Sequence, residues 1–211
     1  MKKRIFSLFL ALVMALCLVP SANTYAAKRT KKAALKAYYA YLKSGKPQTY
    51  RDKKYNKFTL MDLDNDKIPE LVAQYKDREG TFVDYYVILA YDGSTVQTLD
   101  VSEGVAGAGG FRGNLSYMPK KGLIYNLTWS SGTGSQYNTL YSLKNGKFTT
   151  KVKMVNERDM KTYKLNYTWN GKKTTEKKQN AKFNKLYNTK KAKTFDKLKY
   201  ISRKKMLSKL K

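Results

Sequence analysis

The 211-residue sequence predicts an α+β fold: an N-terminal helix, an antiparallel β-meander of Tyr-rich hairpins, and a basic helical C-terminal segment. Three observations predict it. Helical spacing of apolar residues occurs only near the two ends. Period-two alternation fills the middle. Asp-Gly or Asn-Gly dipeptides stand between strand-like runs.

The first 27 residues stand apart from that pattern. Lys2, Lys3 and Arg4 precede an apolar run over residues 5–19, followed by Pro20 and small polar residues. This is the three-part pattern of a secretory signal peptide, with Ala26 and Ala27 at the cleavage point. The apolar run is about 15 residues, short of the roughly 20 that span a bilayer. The expected organisation is a signal peptide over 1–27 and one secreted domain over 28–211. Cleavage removes three basic residues and no acidic ones, leaving 184 residues at a formal net charge of +25. No later stretch is apolar enough to span a membrane, so release or cell-surface association is expected.

Residues 30–42 place Ala34, Tyr38, Tyr41 and Leu42 at helical spacing, and Gly45-Lys46-Pro47 stops them. Strands are expected over 57–62, 70–75, 81–91, 95–101, 122–129, 136–143, 147–154 and 162–169. Asp92-Gly93, Asn145-Gly146 and Asn170-Gly171 separate several of these runs, the strongest short-range hairpin signal. The glycine-rich segment 104–113 reads as a flexible loop. Arg112 in the third glycine position keeps it from being a dinucleotide fingerprint. From Lys172 onward Lys, Asn and Thr dominate, which leaves a solvated helical pair and partial disorder both open. Weak helical periodicity recurs over 179–186 and 201–210.

Composition removes much chemistry. With no histidine there is no Ser-His-Asp or Cys-His catalysis and no His-ligated zinc. The single cysteine, Cys17, lies in the signal segment, so no internal disulfide is possible. Asp77, Glu79, Asp84, Asp92, Asp100, Glu103, Glu157 and Asp159 show no spacing diagnostic of a catalytic pair. Ser202 and Lys205 match S-x-x-K in a tail where lysine is everywhere.

One segment carries chemistry. Residues 58–72 read FTLMDLDNDKIPELV, with Asp62, Asp64 and Asp66 alternating and Glu70 four residues later. Carboxylates this close repel one another, and a hard divalent cation removes that penalty by taking six to eight oxygens. The expected ligands are Asp62, Asp64, Asp66, the Ile68 carbonyl and Glu70, around a structural Ca2+. Calcium suits a flexible, all-protein loop better than magnesium does. An EF-hand fits poorly, because Ala73 stands where the bidentate Glu is required and Pro69 opposes an exit helix. The competing description is an acidic turn capped by its own Asp side chains.

The run DLDNDKIPELV resembles the D-x-D-x-D-G-x-x-D/E-L calcium loop of FG-GAP repeats. It resembles more closely a group of uncharacterised secreted proteins of Gram-positive bacteria with one such loop, an N-terminal helix and Tyr-rich hairpins. The likeness implies ligands at Asp62, Asp64, Asp66 and Glu70. This chain has Lys67 where the pattern has Gly. The position favours left-handed backbone, which costs a non-glycine residue about 1 kcal/mol.

Of the 43 basic residues 36 are Lys, a hydrated point charge suited to diffuse attraction rather than to bidentate reading of bases. The expectation is therefore a secreted, calcium-loop-containing, non-enzymatic binding or adhesive module. Its partner would be an anionic cell-wall polymer or another extracellular polyanion, without sequence-specific nucleic-acid recognition. The alternatives are an extracellular hydrolase using carboxylates without histidine, and an accessory factor that binds a protein partner.

Overall fold

The structure, a computed structural model, describes residues 29–48, 54–76, 82–106 and 110–211. The expected signal segment over 1–27, Asp77 and Glu79 lie outside these residues. The described chain is α+β, dominated by antiparallel sheet.

Helix α1 (Lys31–Lys43) starts where the Thr30 side chain accepts from the Ala33 amide at 3.1 Å. It buries Ala34, Tyr38 and Leu42, one stripe at fourfold spacing. The strands follow as β1 (Lys57–Met61), β2 (Glu70–Lys76), β3 (Phe82–Tyr91), β4 (Val96–Val105), β5 (Phe111–Met118), β6 (Leu123–Ser130), β7 (Gln136–Lys144), β8 (Lys147–Arg158), β9 (Leu165–Trp169) and β10 (Lys172–Thr174). Each pairs antiparallel with the next, so the sheet runs in chain order from β10 to β1. In such a meander the β1–β2, β3–β4, β5–β6 and β7–β8 turns gather at one end.

The 104–113 segment departs from its expected flexible loop. Gly104 belongs to β4 and Gly113 to β5, and the two glycines pair across the strands. Gly104 has φ +112°, and a Cβ there would strike the Phe82 carbonyl, so the glycine permits a close backbone approach.

The two strands pair only at Gly104–Gly113 and Val105–Arg112, then separate. Into that split comes the C-terminal segment. After α2 (Glu176–Leu186), the short β11 (Lys193–Thr194) pairs with Tyr117 and Ser116 of β5. Phe195 follows, fully buried, with its ring 4.8 Å from that of Tyr117 and 5.9 Å from that of Tyr86. Strand β12 (Ile201–Ser202) then pairs with β1, and α3 (Arg203–Lys209) packs against α1.

Both faces of the sheet are covered at β2 and β3. On β3, Val87, Leu89 and Tyr91 face the core under α1 and α3, and Tyr86, Ile88 and Ala90 face the central core with Phe195. This explains why β3 reads as a nearly continuous apolar run. A third core, under α2, joins Leu140, Val152 and Met154 to Phe183 and Tyr187.

Candidate metal centre

The eight residues between β1 and β2 form a loop pinned at two points. Leu63 is fully buried in the central core, and Ile68 is buried in the core under α1 and α3. These apolar anchors fix the backbone on which the carboxylates are carried. Asn65 (φ 66°) and Lys67 (φ 69°) are left-handed, which turns the chain sharply between the anchors. Lys67 thus holds the backbone that its glycine-favouring position requires.

A neighbouring turn completes the seat. The Gly122 amide donates to the Leu63 carbonyl at 2.8 Å, and the Leu143 amide donates to the Gly122 carbonyl at 2.6 Å. Gly122 has φ +61°, and a Cβ there would press on Leu143 and on Asp64. Only glycine lets the β5–β6 turn lie this close to the acidic loop.

Asp62, Asp64 and Glu70 each offer an oxygen, and these oxygens all lie within 4.8 Å of one another. Oxygens bound to one calcium at 2.3–2.6 Å are spaced on this scale. The three differ in how their oxygens are used. Asp62 accepts from the amides of Asp66 (3.2 Å) and Lys67 (3.0 Å), so it also caps the turn. Glu70 is fully buried; its Oε2 accepts from the Leu63 amide at 2.9 Å, whereas its Oε1 has no hydrogen-bond donor. Oδ1 of Asp64 is likewise buried without a donor. A buried carboxylate oxygen with no donor carries a large desolvation cost, which a cation at that point would offset.

The remaining expected ligands are placed differently. Asp66 is ion-paired with Arg29, and its Oδ1 accepts from the Ile68 amide at 2.8 Å. Arg29, in turn, donates to the Tyr91 carbonyl and brings Nη2 to 3.8 Å from Glu70 Oε1. Sequence spacing does not reveal Arg29, which lies 37 residues from Asp66 along the chain. Tyr38, from the buried stripe of α1, adds a buried hydroxyl without a hydrogen-bond partner. Burial first, and then the charge of Glu70, push its pKa up.

The electrostatics follow from this burial. Desolvation pushes the Glu70 carboxyl up to about 8; the Leu63 amide opposes this, and the charges of Asp64 and Asp66 add to it. Asp64 is pushed up to about 6, by burial first and then by Asp66, with Arg29 opposing. The loop is thus a cluster of partly neutralised acids around two donor-less oxygens, with one arginine on its flank. These donors fit a hard, oxygen-seeking cation, with Asp62, Asp64 and Glu70 as the residues that would hold it.

A second group of acids, scattered in sequence, is brought together at the other end of the sheet. Asp84 and Glu103 are directly opposite on β3 and β4. The Tyr86 hydroxyl donates to Glu103 Oε1 at 2.6 Å, the Leu115 amide donates to Glu103 Oε2 at 3.3 Å, and Lys76 Nζ lies 3.4 Å from Asp84. Lys76, Asp84 and Glu103 border an open cleft of about 620 Å3 that Asp196 and Lys197 also line. Cross-strand register made this pair, so chain spacing could not show it.

Comparison of the chain with known protein families, with curated proteins and with solved structures finds no match.

Proposed function

We propose that the chain is a secreted, non-enzymatic binding module whose β1–β2 loop holds a structural Ca2+ and whose lysine surface engages an anionic polymer at the cell envelope. The observation that carries this reading is the sorting of charge. The last 40 residues hold 16 basic and 2 acidic residues, half of the formal +28. Most of those lysines are exposed. The carboxylates are spent elsewhere. Asp62, Asp64, Asp66 and Glu70 turn into the loop. Asp92 accepts from the amides of Ser94 and Thr95, and Asp159 from those of Lys161 and Thr162. Hydrogen-bonded carboxylates keep their charge, so it is the concentration of lysine in the last 40 residues, 16 basic against 2 acidic, that favours diffuse attraction to polyanions.

Retention of the mature protein on an immobilised polyanion tests the reading. The logarithm of the apparent affinity should fall linearly with the logarithm of salt concentration, with a slope matching several neutralised charges. Elution that ignores salt would contradict it and would favour a protein partner.

The second reading is a histidine-free hydrolase, and the cross-strand Asp84–Glu103 pair is the observation in its favour. An activity that Glu103→Gln removes while calcium binding persists would establish it.

A further inference from the structure

Helix α1 presents a second stripe beside the one it buries. Lys32, Leu35, Lys36 and Tyr39 follow i, i+3, i+4, i+7 spacing, with the two lysines exposed and Leu35 and Tyr39 half-buried at the edge of the core. With the end of α3 they line a groove of about 670 Å3. Its floor is apolar, built from Leu35, Tyr39 and Leu210. Its rim carries five lysines, among them Lys32, Lys36 and Lys209, all exposed. No carboxylate lines it, and neither α1 nor α3 contains one.

We infer that this groove is the docking surface for an anionic membrane, a conclusion that rests on the basic envelope-binding reading and gives it a place. Charge and shape select the partner. A soluble polyanion would use the lysines and leave the apolar floor exposed to water. A neutral lipid surface would use the floor and leave the lysines without counter-charge. An anionic bilayer uses both: headgroup phosphates meet the lysine rim and the upper acyl carbons cover the exposed parts of Leu35 and Tyr39. Lysine suits the rim because its methylene stem lies along apolar surface while the ammonium stays at the headgroup level. The site is held rigidly by Arg203, which donates to the carbonyls of Leu42 and Lys46 at 2.9 Å each and so locks α3 against the end of α1.

The test is co-sedimentation of the mature protein with vesicles of equal parts phosphatidylglycerol and phosphatidylcholine at physiological salt. Each lysine at an anionic surface contributes roughly fivefold to partitioning. The variant Lys32→Ser/Lys36→Ser/Lys209→Ser should therefore bind about 100-fold less. A charge-matched variant on β10 and α2, Lys172→Ser/Lys173→Ser/Lys177→Ser, should stay within about twofold, because that region lies away from the docked face and is screened. All six lysines are exposed, so both variants should melt as the parent does. Equal loss in both variants or absence of vesicle binding would each overturn the docking surface. Immobilised-polyanion retention is measured on the same samples. A protein retained there but indifferent to vesicles loses only the groove, whereas one retained by neither loses the envelope reading as well.

Discussion

At the residue scale the acidic loop sets carboxylates where they are costly without a cation. Glu70 is the extreme case, fully buried with Oε1 lacking a donor. Its pKa in the metal-free fold, about 8, lies above the ordinary 4.5. The folded state therefore binds this proton more tightly than the unfolded chain does. Metal-free stability should fall as pH rises from about 4.5 through 8, by a few kcal/mol at most. Glu70→Gln should flatten that dependence and abolish calcium binding, as melts across pH with chelator and calcium titration would show. A parent protein whose metal-free stability is flat over this window would contradict the burial argument. Lys67 offers a second test. It sits at φ 69° beside Asp62, to which its amide donates. Lys67→Gly should stabilise the fold by about 1 kcal/mol through relief of left-handed strain. It should also tighten calcium binding, because a positive charge leaves the loop. Looser binding in that variant would show that the ammonium does not oppose the ion.

At the element scale the C-terminal segment is a staple. It supplies α2 to the third core, β11 and Phe195 to the split between β4 and β5, β12 to the edge of β1, and α3 to the face of α1. Phe195→Ala would empty the centre of a fully buried ring contact with Tyr86 and Tyr117. It should cost about 3–5 kcal/mol in denaturant unfolding. A loss below about 1 kcal/mol would mean that the split closes without the ring. The elements most legible in the sequence were those with a periodic or turn signal: α1, the hairpin turns and β3. What was hidden had a physical cause. Strand β5 was hidden because glycines that serve close backbone approach resemble the glycines of a loop. Strand β11 is only two residues long, and Phe195 stands among lysines, so neither pattern nor hydropathy marks it. In the site, the carboxylates were legible from spacing, and the left-handed Lys67 position from the loop's resemblance to a pattern with Gly there. Arg29, Gly122 and Tyr38 were not, because they come from three other parts of the chain.

At the scale of the whole molecule, one end of the meander gathers the hairpin turns and the acidic loop, while the opposite face of α1 and the C-terminal third carry lysine. No helix among the described residues is long and apolar enough to cross a membrane. The sheet ends on a short, lysine-bearing β10, which discourages edge-to-edge pairing with other chains. On the proposed reading, the acids of the β1–β2 loop hold the fold together around Ca2+ and the exposed lysines meet an anionic partner. The loop is anchored in both the central core and the core under α1 and α3.

Thermal unfolding of the mature protein in calcium and in chelator, beside Asp64→Ala, tests the central claim most directly. Calcium at 100 times its Kd should add about 2.7 kcal/mol. For a domain of this size that is a rise of roughly 5–10 °C in Tm. Asp64→Ala should melt at the same temperature with and without calcium. A parent protein whose Tm is unmoved by saturating calcium would contradict the metal loop and leave the acidic turn as a purely structural cap.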